Sequence, residues 1–195
     1  MRARWLGLLV VAVAIAATSR FMIMRSRSRL PAANTPLYED TTRSFYRGLA
    51  ELQVGLLDDA KRDFGKATEL VPDEPASWAN LGLTSLRLGE FDAAAGPIEK
   101  AVSLSPSSSD LVLLRGRLQT SRGKLDEGIA DYRRAVELEP RNVRARYALA
   151  EEIERAGGPD ADQEAQQQFF DILKGTPGNL AVMLERARLD RKSVV

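Results

Sequence analysis

The chain has 195 residues, with 28 basic and 27 acidic side chains and neither histidine nor cysteine. Those two absences exclude disulfides, thiol nucleophiles, Ser-His-Asp triads and metal sites with imidazole or thiolate ligands within this chain. Hydrophobic residues make up 44% of the chain, enough for a folded core, and the net charge of +1 gives no indication of nucleic-acid binding.

The first predicted element is an apolar segment between arginines. Residues 5–24 contain a single charge, Arg20, and as a helix these 20 residues would rise about 30 Å, the thickness of a bilayer's hydrocarbon core. We therefore expect residues 1–25 to form a transmembrane anchor or an uncleaved signal. A cleaved signal peptide is the alternative, with its cleavage site at residues 14–16.

The orientation of this anchor is open. The positive-inside rule slightly favours a cytoplasmic body, because more arginines follow the apolar segment than precede it. A basic N-terminus followed by an apolar segment more often directs export. We expect a single-pass inner (cytoplasmic) membrane protein with its body in the periplasm. Residues 26–40, with two prolines and no helical stripe, are predicted to be a linker.

A period of 34 residues dominates the rest of the chain. Five series of small, acidic or proline residues recur at this spacing: Gly48, Gly82, Gly116 and Ala150; Gly55, Gly89, Gly123 and Gly157; Asp58, Asp92 and Asp126; Ala67, Ala101 and Ala135; and Pro72, Pro106 and Pro140. The first series would let a second helix approach closely, and the second would end the first helix in a left-handed conformation. The aspartates are predicted N-caps of the second helix, which the prolines would terminate.

This pattern resembles the tetratricopeptide repeat (TPR) family, most clearly where Trp78, Leu81 and Gly82 precede Pro106. The resemblance covers residues 41–179, and it implies four repeats in an all-α, right-handed α-solenoid of helix-turn-helix units. The helices are predicted at 41–54, 58–70, 75–88, 92–104, 109–121, 126–138, 143–156, 160–173 and 180–192. Residues 180–195 would be a capping helix or the start of a fifth repeat, with an apolar stripe of Leu180, Met183, Leu184 and Ala187.

By the same resemblance, the first helices of the repeats line a concave groove that binds a peptide or an amphipathic helix of a protein partner. The residues predicted to form this groove are Phe45, Leu49, Leu52, Ala79, Asn80, Leu83, Leu86, Leu113, Arg117, Arg144, Tyr147 and Glu151. The wall would be apolar in the first two repeats and of mixed charge in the last two. Alternatively, Phe45 and Leu49 cover residues 30–40 of the same chain.

The family's carboxylate clamp is not expected here, because only Asn80 coincides with a clamp position. We expect no catalysis, cofactor, metal, nucleic acid or small-molecule substrate. The predicted function is a membrane-tethered scaffold or assembly factor. Two alternatives are a structural accessory subunit of a membrane complex and the N-terminal module of a longer multidomain protein.

Overall fold

A computed structural model describes residues 30–192 of the chain. Within that range the secondary structure consists of nine α-helices without a strand, which confirms the all-helical prediction. In chain order the helices are α1 (Pro36–Val54), α2 (Leu57–Leu70), α3 (Pro75–Arg87), α4 (Phe91–Leu104), α5 (Ser109–Ser121), α6 (Leu125–Leu138), α7 (Val143–Ala156), α8 (Ala161–Gly175) and α9 (Leu180–Lys192).

The predicted membrane anchor, residues 1–25, lies outside the described residues. None of the nine helices between residues 30 and 192 combines the length and the apolar character that a bilayer crossing requires.

Helix α1 begins five residues earlier than the sequence predicted, so the linker prediction is wrong for residues 36–40. The Thr35 hydroxyl accepts a hydrogen bond from the Tyr38 amide at 3.2 Å, and Pro36 occupies the first helical position, where its missing N–H costs nothing. The other eight helices begin and end within two residues of their predicted bounds.

The recurring glycines have the two roles that their spacing predicts. Gly55, Gly89, Gly123 and Gly157 all have φ between 72° and 84°, the left-handed region that disfavours other residues. Gly82 lies where α3 and α4 cross, and a Cβ atom there would come within 2.4 Å of Ile98 Cγ1. The small residue therefore sets the distance between the two helices of the repeat.

The aspartates of the 34-residue series are not N-caps, contrary to the prediction. Asp58, Asp92 and Asp126 are the second residues of α2, α4 and α6, and no side chain makes a capping hydrogen bond at these helix starts. Their carboxylates lie in the first turn, where negative charge interacts favourably with the helix dipole.

The helices stack in sequence order. Each one packs against its neighbours in the chain, and the first helices of adjacent repeats also touch: α1 with α3, α3 with α5, and α5 with α7. Consequently α1, α3, α5 and α7 form one continuous wall, while α2, α4, α6 and α8 lie behind it. The alanines Ala67, Ala101 and Ala135 are fully buried in these second helices, as their spacing predicted.

The terminal helix α9 packs through a face that the sequence did not predict. Val182 and Leu189, seven residues apart on one side, are 1% and 0% exposed. The predicted apolar stripe faces solvent instead, with Leu180, Met183 and Leu184 exposed by 66%, 47% and 61%. The helix has two apolar faces, and the one formed by Val182 and Leu189 lies against the preceding repeat.

Candidate partner-binding groove

The wall of first helices contains an open depression of about 330 Å³, which lies across three repeats. We call the exposed surface of α1, α3, α5 and α7 the groove. The side chains around the central depression come mainly from α3, α5 and α7: Leu83, Leu86, Arg87, Arg117, Thr120, Ser121, Tyr132, Ala148, Glu151 and Glu152. Four predicted groove residues therefore meet at one place, namely Leu83, Leu86, Arg117 and Glu151.

The repeat length explains why these side chains meet. Leu83, Arg117 and Glu151 are 34 residues apart, so they occupy the same position in three successive first helices. Sequence reasoning missed Arg87, Ala148 and Glu152 at the rim, since these lie just outside the four helical positions assigned to the groove. The three equivalent positions thus place one apolar residue, one cation and one carboxylate in a row along the depression.

The two leucines are only partly available to a ligand. Leu83 is half-buried against the cluster that contains Phe64, and Leu86 is half-buried against the cluster of Ile98 and Leu118. Their remaining surface forms the apolar floor of the central depression.

Leu52 and Leu113 belong to the core rather than to the groove, so these two predictions are corrected. Leu52 is 7% exposed and packs with Phe64, while Leu113 is 4% exposed and packs with Leu149 of the next repeat. Family positions identify the side of a helix, but a large side chain at those positions also reaches sideways into the contact between helices.

The N-terminal part of the groove is partly covered by its own chain. The Phe45 ring lies 5.7 Å from that of Tyr46 and 5.8 Å from that of Phe64, each in an edge-to-face arrangement. Leu30, Tyr38 and Phe45 line one small depression of about 180 Å³. The contact with residues 30–40, which was the alternative to a ligand, therefore explains part of the coverage of the Phe45 side chain.

The other predicted residues in the N-terminal part of the groove also make contacts within the chain. Leu49 is half-buried against the cluster of Phe64. The Asn80 side-chain amide donates to the Ala76 carbonyl at 2.8 Å, within its own helix. Ala79 is half-buried and adds a small apolar surface.

Charged and aromatic side chains dominate the C-terminal part. Arg144 forms an ion pair with Asp110 at 2.8 Å, which connects equivalent positions of α7 and α5. The Tyr147 ring lies 5.7 Å from that of Phe169, and it is half-buried. Loss of hydration raises the pKa of the Glu151 carboxyl above its usual value.

The carboxylates beside Glu151 already have partners. Glu154 accepts hydrogen bonds from Arg188 of α9, one of them at 2.8 Å, and Glu152 is paired with Arg155. Within residues 30–192, by contrast, neither Arg117 nor Glu151 belongs to an ion pair. Both side chains are exposed, and the Glu151 carboxylate interacts with the Tyr147 hydroxyl and with the charge of Arg117.

The described part of the chain, residues 30–192, brings together no group of three or more acidic side chains that would hold a metal ion. The groove offers apolar contact, hydrogen bonds and two opposite charges, which are the means of binding a polypeptide.

Comparisons with known proteins identify the repeat. A family model described as tetratricopeptide repeat matches residues 46–109, and another described as TPR repeat matches residues 116–151. The two matches together cover just over half of the chain. A comparison with curated protein sequences finds no match.

Several solved structures share the fold. A thermophilic TPR protein from Thermus thermophilus is 21% identical, with a TM-score of 0.68 over 75% of this chain and 79% of its own. The PilF protein of Pseudomonas aeruginosa is 21% identical, with a TM-score of 0.72 over 82% of this chain and 71% of its own. The first TPR domain of Spaghetti (RPAP3), bound to an HSP90 peptide, is 26% identical, with a TM-score of 0.58 over 62% of this chain and 95% of its own.

Proposed function

Because this chain belongs to the tetratricopeptide repeat family, we propose that it is a scaffold or assembly factor whose groove binds a peptide or an amphipathic helix of a partner protein. TPR proteins generally mediate protein–protein interactions, and the RPAP3 domain similar to this chain holds an HSP90 peptide. The observation that carries the proposal is the meeting of Leu83, Arg117 and Glu151 in one open depression across three repeats.

The groove also indicates what kind of segment fits. An apolar side chain of the ligand would contact Leu83 and Leu86, and burial of such a side chain contributes about 1.5–3 kcal/mol. Beside this side chain, Arg117 would form an ion pair with an acidic group of the ligand, and Glu151 would form one with a basic group. A ligand with an apolar anchor flanked by both signs of charge therefore matches this surface best.

The peptide SRMEEVD, bound by the RPAP3 domain, is a different kind of ligand because its C-terminal half is acidic. In this chain Phe45 and Leu49 occupy the first pair of clamp positions, and Asn80 is bonded within its own helix. We therefore propose that this groove does not select acidic C-terminal tails.

The test is a comparison of partner capture by two charge-reversal variants of the full-length chain. Arg117→Glu with Glu151→Lys alters the groove and leaves the net charge unchanged. Lys66→Glu with Glu69→Lys makes the same exchange on α2, behind the wall, where both side chains are exposed. Because all four side chains are exposed, we expect helicity and melting temperature to stay close to wild type.

Proteins retained by the wild type and by the α2 variant, but reduced roughly tenfold for the groove variant, would be groove partners. Equal capture by all three chains would refute a partner site in the groove. A matching loss for both variants would show that non-specific charge, rather than the groove, holds the partner.

We propose further that residues 5–24 tether this scaffold to the inner membrane with the groove in the periplasm. The support is the apolar composition of that segment, which contains one charged residue in 20. Since the chain has no cysteine, Ala33→Cys introduces a unique thiol at an exposed position. A maleimide that cannot cross membranes should label this thiol in spheroplasts; labelling only after lysis would place the groove in the cytoplasm.

A further inference from the structure

A second depression lies at one edge of the fourth repeat, where α7 begins and α8 ends. Its volume is about 540 Å³, and sites for small molecules have volumes of roughly 300–1,000 Å³. Its wall includes Arg141, Val143, Arg146, Ile172, Lys174 and Gly175. We call this depression the α7–α8 pocket. It shares no residue with the central depression of the groove, so its ligand does not depend on the function proposed there.

The space in the α7–α8 pocket lies where the other repeats have a leucine. The loop between α7 and α8 is three residues longer than in the other repeats, which makes Gly175 equivalent to Leu138, 37 residues earlier, and to Leu104 and Leu70. Each of these leucines is half-buried in the last turn of its second helix. A Cβ atom on Gly175 would meet nothing within 4 Å. The fourth repeat therefore lacks one apolar side chain that the other three have.

Arg146 places a fixed positive charge in the wall. In the second repeat the equivalent residue is Trp78, whose indole Nε1 donates to the Pro72 carbonyl at 2.7 Å. Arg146 makes the equivalent bond, from Nε to the Pro140 carbonyl at 2.8 Å. Its side chain is only 16% exposed. The exchange thus keeps the hydrogen bond of the indole and replaces the aromatic ring by a guanidinium.

The charges around the α7–α8 pocket favour an anion. Arg141, Arg146 and Lys174 face a single carboxylate, Asp171, which Arg146 Nη1 approaches at 3.3 Å and Lys174 at 2.9 Å. Among residues 30–192, Arg141 forms no ion pair, and Arg146 Nη2 donates to no protein group although it is not buried. Two cationic groups are therefore open to a ligand.

The two helix ends give the ligand a direction. Helix α7 begins at Val143, so the positive end of its dipole lies on the side of Arg141 and Arg146. Helix α8 ends at Gly175, where the dipole is negative. An anionic group is therefore favoured beside the start of α7, and an apolar group beside Gly175.

We propose that the α7–α8 pocket binds a small branched-chain carboxylate. The apolar branch occupies the space of the missing leucine side chain, and the carboxylate accepts hydrogen bonds from Arg146 Nη2 and from Arg141. An inorganic anion would leave the apolar space empty, and a neutral apolar molecule would leave the two cations without a counter-charge.

The probe for this site is 4-methylpentanoate, which has the branched side chain of leucine joined to a carboxylate. Saturation-transfer NMR on the full-length chain in nanodiscs measures its binding, and we expect saturation in the millimolar range. Gly175→Leu restores the leucine of the other repeats and should abolish this binding. Because a Cβ at this position meets no neighbouring atom, the variant should keep the melting temperature of the wild type.

Three controls make the result specific. Gly96→Leu makes the same substitution at an exposed glycine of α4, where a Cβ also meets nothing within 4 Å, and should leave binding unchanged. The amide 4-methylpentanamide, which has no charge, and acetate, which has no branch, should both bind at least roughly tenfold more weakly.

Binding of 4-methylpentanoate that Gly175→Leu does not alter, equal binding of the acid and its amide, or no saturation would overturn the proposal. Tighter binding of N-acetylleucine, which represents the last residue of a polypeptide, would overturn it in favour of a peptide terminus as the ligand.

Discussion

The Arg115 guanidinium donates to the Asp131 carboxylate, from Nε at 2.9 Å. This ion pair joins α5 to α6, the first and second helices of the third repeat. Arg47 and Asp63 form the equivalent pair in the first repeat, also 16 residues apart. In the second repeat the same two positions hold Leu81 and Pro97. The fold therefore accepts either an ion pair or apolar residues at one contact.

Because apolar residues replace the ion pair in the second repeat, we predict that mutations of Arg115 and Asp131 have non-additive effects on stability. Arg115→Leu leaves the mostly buried Asp131 without its guanidinium, and we expect the free energy of unfolding to fall by about 1–3 kcal/mol. Adding Asp131→Ala to Arg115→Leu should recover part of that loss, because the unpaired carboxylate is gone. Urea unfolding of the four proteins measures the coupling; additive effects would mean that the pair contributes nothing.

Gly82 provides a test of helix packing. Alanine is a better helix former by about 1 kcal/mol, yet Gly82→Ala should destabilise the protein because its Cβ would come within 2.4 Å of the buried Ile98. Gly65→Ala is the matched control, since a Cβ on this helical glycine of α2 meets nothing within 4 Å. Thermal unfolding should show a lower melting temperature for Gly82→Ala and a higher one for Gly65→Ala. The same sign for both would contradict the close approach of α3 and α4.

Asn142 connects the third and fourth repeats. Its side chain accepts from the Ala145 amide at 3.1 Å and donates to the Ser109 hydroxyl at 2.9 Å, in a buried position. Asn142→Ala should therefore cost about 1–3 kcal/mol, the sum of a lost cap and of the lost hydrogen bond to the Ser109 hydroxyl, which would keep only its own bond to the Ala135 carbonyl. Asn179→Ala removes only a cap, the 3.3 Å bond to the Val182 amide, and should cost less. Equal losses in chemical unfolding would show that the Ser109 contact adds no stability.

The buried Asp63 predicts how stability depends on pH. The hydrogen bond from Arg47 holds the pKa of the Asp63 carboxyl below its ordinary value. A carboxyl with a lower pKa in the folded state adds stability above its unfolded pKa, about 4, and this stability is lost as pH falls through the folded value. Glu51 nearby works in the opposite direction, because burial raises its pKa.

Asp63→Asn should therefore lower the free energy of unfolding at pH 7, and its difference from wild type should shrink below about pH 4. Glu69→Gln is the control, since Glu69 is an exposed residue outside the first turn of α2, and it should change the free energy of unfolding little. A constant difference between Asp63→Asn and wild type from pH 7 to pH 2 would show that ionisation of Asp63 does not contribute.

The sequence predicts this fold well because the period of 34 fixes which residues are equivalent. The left-handed Gly89, the close contact at Gly82 and the row of Leu83, Arg117 and Glu151 all follow from that equivalence. A local contact such as the Thr35 cap, which starts α1 early, lies outside the repeat and leaves no periodic signal.

The spacing predicts which residues are equivalent between repeats, but it does not predict how deeply each one is buried. Leu113 has a groove position by spacing, yet it is buried because the neighbouring repeat packs over it. Helix α9 carries two apolar faces, and only packing decides which of them meets α8; Val182 and Leu189 do, and Met183 does not. The sequence pattern predicts on which side of a helix a residue lies. Whether that side is buried depends on how the neighbouring helices pack against it.

Site-specific photo-cross-linking tests the central claim, that the groove is the partner-binding surface, most directly. A photoreactive amino acid would replace Arg117 in the groove, Lys66 on the outer helix α2, or the exposed Met183 on α9, each in the full-length chain in its native cells. We predict a discrete cross-linked partner from position 117 that is absent from position 66. The same partner cross-linked with equal yield from position 66, or from position 183 alone, would contradict the assignment of the groove.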